Sequence, residues 1–284
     1  MPRDIFHPLS DLEREERLRA FGEFLKARDG APDLAKRTLS GREEQLQRFQ
    51  KAQALYPGVV NRALFEAQYR RFDKRVPTPK EMLLLLTFVK FNNTEAYTVE
   101  KSFIALEQGL VTPKSELEIF VLLEEHYHTK ILLSAAHLFG LKVEPHFEAA
   151  ATVKILNTAT LRLPDFFRYP LVLVAEFLGV VMMSRMFRSV REIFQTTPPL
   201  RDGLEERLIE VLIDEIGHVS YNRLQLDSRG LALARALLSA VALGIGRPVE
   251  EAEVLGLFPI RWKAVFTFEM RHLPAEIRRC ASIA

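Results

Sequence analysis

Two five-residue segments hold the side chains best suited to chemistry. Glu124-Glu125-His126-Tyr127-His128 and Asp214-Glu215-Ile216-Gly217-His218 each set an acid pair before a histidine, with Glu and His three residues apart. On a helix that spacing puts a carboxylate and an imidazole on one face. A further acid, Glu176, interrupts the apolar run from Leu171 to Met183, where its carboxylate is buried on almost any face. A buried charge left unpaired costs on the order of several kcal/mol, so Glu176 is expected to face a cation. Another carboxylate comes from Glu95 or Glu100. Glu95 continues the apolar stripe Leu84, Phe88, Phe91, Val99 and Phe103, whereas Glu100 lies about 140° around the helix. Four carboxylates and two imidazoles suit two iron or manganese ions.

Long helices must position these residues. Helical periodicity dominates the chain, and alternating strand patterns are scarce. Four segments stand out: 79–110, opened by Thr78, Pro79 and Glu81 as a capping box; 113–139, capped by Thr112 and ended near Gly140; 166–195, with Pro170 marking a kink or a later start; and one beginning after Pro198-Pro199 and Asp202 and ending near Gly230. Short turns join the first to the second and the third to the fourth, while 141–164 is a longer crossover. That is the connectivity of two helical hairpins in a four-helix bundle. Glu176 lies about as far before the turn near 197 as Glu215 and His218 lie after it, so the three share one level; around the turn near 112, either Glu95 or Glu100 reaches the level of Glu125 and His128.

Outside the core, 10–28, 41–55 and 60–72 read as amphipathic helices, 231–243 as an apolar helix and 258–272 as one more. We read one domain: a 1–77 helical extension, a 78–230 core, and 231–284 as C-terminal helices. The composition is 48% hydrophobic and 27% charged, ordinary for a large core, and the net charge of +2 is too small to point to nucleic acid. A lone Cys280 excludes an internal disulfide or a cysteine-based metal cluster. The charged N-terminus does not read as a secretory leader, and the apolar run is shorter than the roughly 20 residues a membrane span needs. A cytoplasmic protein without a membrane span is expected; a homodimer is left open.

The pattern over residues 80–225 resembles the ferritin-like di-iron carboxylate superfamily, which includes acyl-carrier-protein desaturases, bacterial multicomponent monooxygenases, the small subunit of ribonucleotide reductase, rubrerythrins and p-aminobenzoate N-oxygenases. The resemblance implies an all-α, ferritin-like bundle whose metal ligands are Glu95 (or Glu100), Glu125, His128, Glu176, Glu215 and His218. It also implies that Asp214 hydrogen-bonds His128 and Glu124 hydrogen-bonds His218. The arylamine N-oxygenases carry an additional histidine where this chain has Val211. His126, His137 and His146 are other sources of nitrogen.

Each feature also has a plainer reading. A single Glu-x-x-His is usually a solvated helix face, Tyr97 and Tyr127 are packing residues before they are radical sites, and Met182 and Met183 are core. Gly179 and Gly217 leave room for dioxygen or substrate, or let helices approach. Arg185, Arg188 and Arg191 form a solvated helix end or a platform for an acidic carrier domain. The expected function is a non-haem di-iron oxygenase using dioxygen and an external electron donor. Manganese or a mixed pair is an alternative to two irons. Walls including Phe88, Phe91, Leu132, Leu173 and Val180 favour a largely apolar substrate, either a small molecule or one tethered to a carrier. The same ligand set serves a desaturase or decarboxylating oxidase. A metal-storage or radical-storing protein, and a metal-free scaffold, are the readings outside oxygenase chemistry.

Overall fold

The computed structural model describes residues 5–91, 93–144, 163–244 and 249–257, with 268, 273–275 and 277. The crossover between 145 and 162, most of the expected helix 258–272, His146 and Cys280 lie outside the described residues.

The described residues are all-α apart from one small hairpin. Helix α1 (Asp11–Asp29) opens on a capping box in which Ser10 and Glu13 satisfy each other's backbone. Strands β1 (Pro32–Asp33) and β2 (Thr38–Leu39) pair antiparallel. Helices α2 (Glu43–Gln50) and α3 (Arg62–Arg70) complete the N-terminal extension. The core follows as α4 (Lys80–Phe91), α5 (Asn93–Glu107), α6 (Glu116–Ser134), α7 (Asp165–Ile193) and α8 (Pro198–Leu224), then α9 (Ser228–Gly244) and α10 (Glu250–Val254).

Several boundaries differ from those read in the sequence. Ser115, not Thr112, caps α6, accepting from Glu118 N, and the helix tightens to a 3-10 turn over Ala135–Phe139 before Gly140. The Thr78 hydroxyl is engaged with Val76 O and Gln68. Helix α7 starts at Asp165 and runs through Pro170, whose missing N–H forgoes the one bond it would have made to the carbonyl of Phe166. Helix α8 starts at Pro198 itself, where a proline's missing donor would be unsatisfied anyway. It stops at Leu224 rather than near Gly230. Gly230 instead lies in the first turn of α9, its N–H held by Asp227 Oδ1 at 2.8 Å.

Helix α7 is the hub, packing along α8 and α9, while α6 packs on α5 and α8. By length and composition α7 could cross a membrane, with a mean hydropathy of 1.7 over its most apolar window, yet 56% of that window is buried inside the protein. Leu173, Val180, Met182, Met183 and Phe187 of α7 meet a core that includes Leu84, Phe88, Phe120, Ile131, Leu208, Val211 and Ile216. Each large apolar side chain so buried contributes about 1.5–3 kcal/mol. That apolar ground is what makes the acids within it unusual.

Candidate metal centre

Four helices each bring ligand-type side chains to one level. Glu95 comes from α5, Glu125 and His128 from α6, Glu176 from α7, and Glu215 and His218 from α8. Glu95, Glu125, His128 and Glu215 form one group, and Glu125, Glu176 and His218 another, each with its ligand atoms within 4.8 Å of one another. Glu125 belongs to both. His218 Nδ1 lies 2.6 Å from Glu125 Oε1; His128 Nδ1 lies 3.2 Å from Glu125 Oε2 and 3.3 Å from Glu215 Oε1. A six-coordinate ion with bonds near 2.1 Å sets adjacent ligand atoms about 3 Å apart.

The far side of each imidazole decides what the near side offers. His128 Nε2 lies 3.0 Å from Asp214 Oδ2, and His218 Nε2 lies 3.0 Å from Glu124 Oε2. A carboxylate only accepts, so both Nε2 atoms carry a proton, and whenever the imidazoles are neutral both Nδ1 atoms present a lone pair toward the carboxylates. Those Nδ1 atoms and both oxygens of Glu125 are buried and form no aligned hydrogen bond. Lone pairs turned on lone pairs at this distance repel unless a cation or proton lies between them.

The protonation tendencies of the metal-free chain carry the same strain. Burial, then Glu125 and Glu215, push Glu95 and Glu176 well above the usual carboxylate range. Burial pushes Glu125 up too, but His218 and His128 more than offset it and hold it well below that range. Burial works against charge on His128 and His218, yet Glu125 and the other carboxylates raise both well above an ordinary imidazole. Protons thus fill the place of positive charge.

Glu100 is drawn elsewhere. Arg37 Nη1 donates to it at 2.9 Å, and the same guanidinium binds Glu107 and covers the Phe103 ring. His126 packs against the edge of Phe103, where burial pulls it down to about 4. Neither His126 nor His137 joins the ligand groups, and Val211 is core. The Tyr127 hydroxyl is spent on the hairpin and α2, accepting from Leu39 N at 3.2 Å and donating to Glu43, and Tyr97 is half-buried. Of the walls, Phe88, Leu132, Leu173 and Val180 are buried and Phe91 is half-buried. Arg185 donates to Leu257 O at 2.7 Å, Arg191 pairs with Glu205 and Arg188 is exposed.

The two glycines have definite occupants. A Cβ on Gly179 would lie 3.2 Å from Glu215 Oε2, so this position makes room for the Glu215 carboxylate. A Cβ on Gly217 would lie 2.8 Å from the Phe21 ring, so this position receives α1. Gly217→Ala is expected to cost about 1–3 kcal/mol in chemical denaturation by displacing Phe21. Gly179→Ala should barely change stability but weaken metal binding about tenfold by pressing on Glu215. A chelator competition assay separates the two effects.

The sequence reading missed the arginines behind the acids. Arg28 at the end of α1 donates to Asp214 Oδ1 and to Glu210. Arg42, nearly fully buried, donates to both oxygens of Asp214 and to Asp29. Burial favours neutrality in Asp214, but Arg28 and Arg42 outweigh it and hold the acid well below its usual value. Nothing local marks these arginines among the many charges of the N-terminal helices.

No protein-family model, curated protein or solved structure matches the chain.

Proposed function

We propose that this protein is a ferritin-like, non-haem di-iron oxygenase. It would activate dioxygen to hydroxylate or N-oxygenate a small or carrier-tethered, largely apolar substrate. The observation that carries this reading is the pair of imidazoles, each with Nε2 on a carboxylate and Nδ1 turned, unpartnered, toward the oxygens of Glu125. The donor set fits two oxygen- and nitrogen-liking ions, with Glu95, His128 and Glu215 serving one, Glu176 and His218 the other, and Glu125 common to both groups.

When bound, two iron ions supply the electrons and the oxygen-binding positions that reaction with dioxygen requires. The chain's own part is to hold the ligands and keep water away. Asp214 and Glu124 keep the imidazole tautomers and ring planes in place. Phe88, Leu173 and Val180 line the bundle with apolar surface, and α1 closes one side by seating Phe21 on Gly217. Because the Tyr127 hydroxyl is engaged by Leu39 and Glu43, the oxygenase reading is favoured over radical storage on that tyrosine.

The deciding experiment combines metal analysis of aerobically purified protein with stopped-flow spectra after anaerobic reduction and dioxygen addition. About two irons per chain and a transient visible band lost in Glu176→Ala are expected. Negligible metal after reconstitution with either iron or manganese would overturn the reading. Product analysis with a substrate panel then separates oxygen insertion from desaturation or oxidative decarboxylation.

A further inference from the structure

Arg28 and Arg42 flank the β1–β2 hairpin, far in sequence from every ligand. Two glycines bring them together. Gly30 has φ +74, and a Cβ there would fall 2.3 Å from Ser40 Oγ; a Cβ on Gly41 would fall 2.9 Å from the carbonyl oxygen of Arg28. Both positions therefore require glycine for the chain to fold back on the end of α1, where Gly41 N donates to Asp29 O at 2.8 Å. That return drives Arg42 inward beside Arg28 and Asp29.

Arg42 grips Asp214 with two prongs: Nη2 donates to Oδ2 at 2.9 Å and Nη1 to Oδ1 at 3.2 Å. Arg28 touches Oδ1 alone. Asp214 Oδ2 is also the acceptor for His128 Nε2. The arrangement behind His218 differs. Glu124 Oε1 lies 3.5 Å from Arg28 Nη1 and forms no hydrogen bond, so no fork fixes that carboxylate.

We infer that Arg42 is a positioning residue for His128. Its fork sets the plane of the Asp214 carboxylate, and that carboxylate sets the imidazole whose Nδ1 faces Glu125 and Glu215. The carboxylate behind His128 is thus gripped by a two-pronged arginine of the N-terminal segment, whereas the one behind His218 has from that segment only the longer ion pair with Arg28. The two pockets differ in how firmly their imidazoles are held. This inference rests on the two-ion reading above.

The test is anaerobic cobalt(II) titration of the full chain, with proton NMR of the exchangeable imidazole N–H signals shifted by the bound cobalt. Wild type should take up two ions and show two such signals. Arg42→Met and Arg42→Lys should both weaken one pocket about tenfold or more and displace one signal while the other stays. Lysine keeps the charge but donates from a single point and cannot span two oxygens. Arg207→Met is the control: Arg207 is as buried, but its guanidinium is held by Ser134 Oγ, Gly203 O and Phe49 O. That variant should lose stability yet keep both signals. Wild-type affinities and signals in Arg42→Lys would overturn the positioning role, as would an equal change in Arg207→Met. Wild type that takes up no cobalt overturns the two-ion reading, and this inference with it.

Discussion

Glu125→Ala is expected to bring metal content from about two ions per chain to well under one, and to abolish any reaction of the reduced protein with dioxygen. The effect is larger than for any other single ligand because Glu125 stands in both groups and faces both imidazoles. Glu95→Gln and Glu176→Gln should each weaken one pocket and leave the other. Glu100→Gln should leave both intact, since Arg37 already holds that carboxylate. Elemental analysis of the four variants, reconstituted identically, reads the whole pattern. Loss of metal in Glu100→Gln but not in Glu95→Gln would show that α5 presents its other acid.

Removing the metal should reverse the dependence of stability on pH. In the metal-free chain Glu95 and Glu176 are raised acids, chiefly through burial and then through Glu125 and Glu215. The unfolded chain releases such protons near 4.5, its ordinary glutamate value, while the folded chain keeps them, so stability falls as pH rises above that point. Asp29, raised to about 8 by burial and then by Glu124, extends the loss to that pH. His128 and His218, raised despite their burial by Glu125 and neighbouring carboxylates, stabilise the fold below the ordinary imidazole value. They lose that contribution as pH climbs through their folded values. Glu125 and Asp214 act oppositely, since their lowered values stabilise above the usual carboxylate range and fail only toward acid.

The metal-free melting temperature should therefore fall steadily between about pH 5 and pH 8. Metal binding displaces the protons on the ligands and tightens as pH rises, so the loaded protein should hold or gain stability over the same range. With free metal about 1,000-fold above each dissociation constant, two ions contribute about 8 kcal/mol, or about 20 °C in melting temperature for a chain of this size. Differential scanning calorimetry across pH, with and without metal, measures both slopes. Parallel slopes would mean that the clustered carboxylates and imidazoles are not where the metal acts.

Much of this arrangement was legible in the sequence because it is local. Three-residue spacing puts Glu125 with His128 and Glu215 with His218, whatever surrounds them, and an acid inside the apolar stretch around Glu176 has nowhere to go but inward. Turn positions then bring α7 and α8 to one level. Helical periodicity likewise marked most of the described helices, although α2 ends at Gln50 rather than near 55 and α10 has no counterpart among the expected helices. It failed at the ends where a single cap decides: Ser115 begins α6, and Asp227 starts α9 so early that Gly230 falls inside it.

What only the tertiary structure decided is which charges meet. Glu95 and Glu100 both fit a helix of this register, and the choice between them is made by Arg37, which reaches Glu100 from the hairpin. Gly217 could have bordered a space for substrate; it is Phe21 that occupies the position. Arg28 and Arg42 look like any solvated cations of an amphipathic helix until the turn at Gly30 and Gly41 sets both against Asp214, 172 residues beyond Arg42, with Arg42 buried and Arg28 half-buried. Side-chain spacing along a helix is set by backbone geometry and is therefore local. The partner of a buried charge is set by which elements pack together, and no local period encodes it.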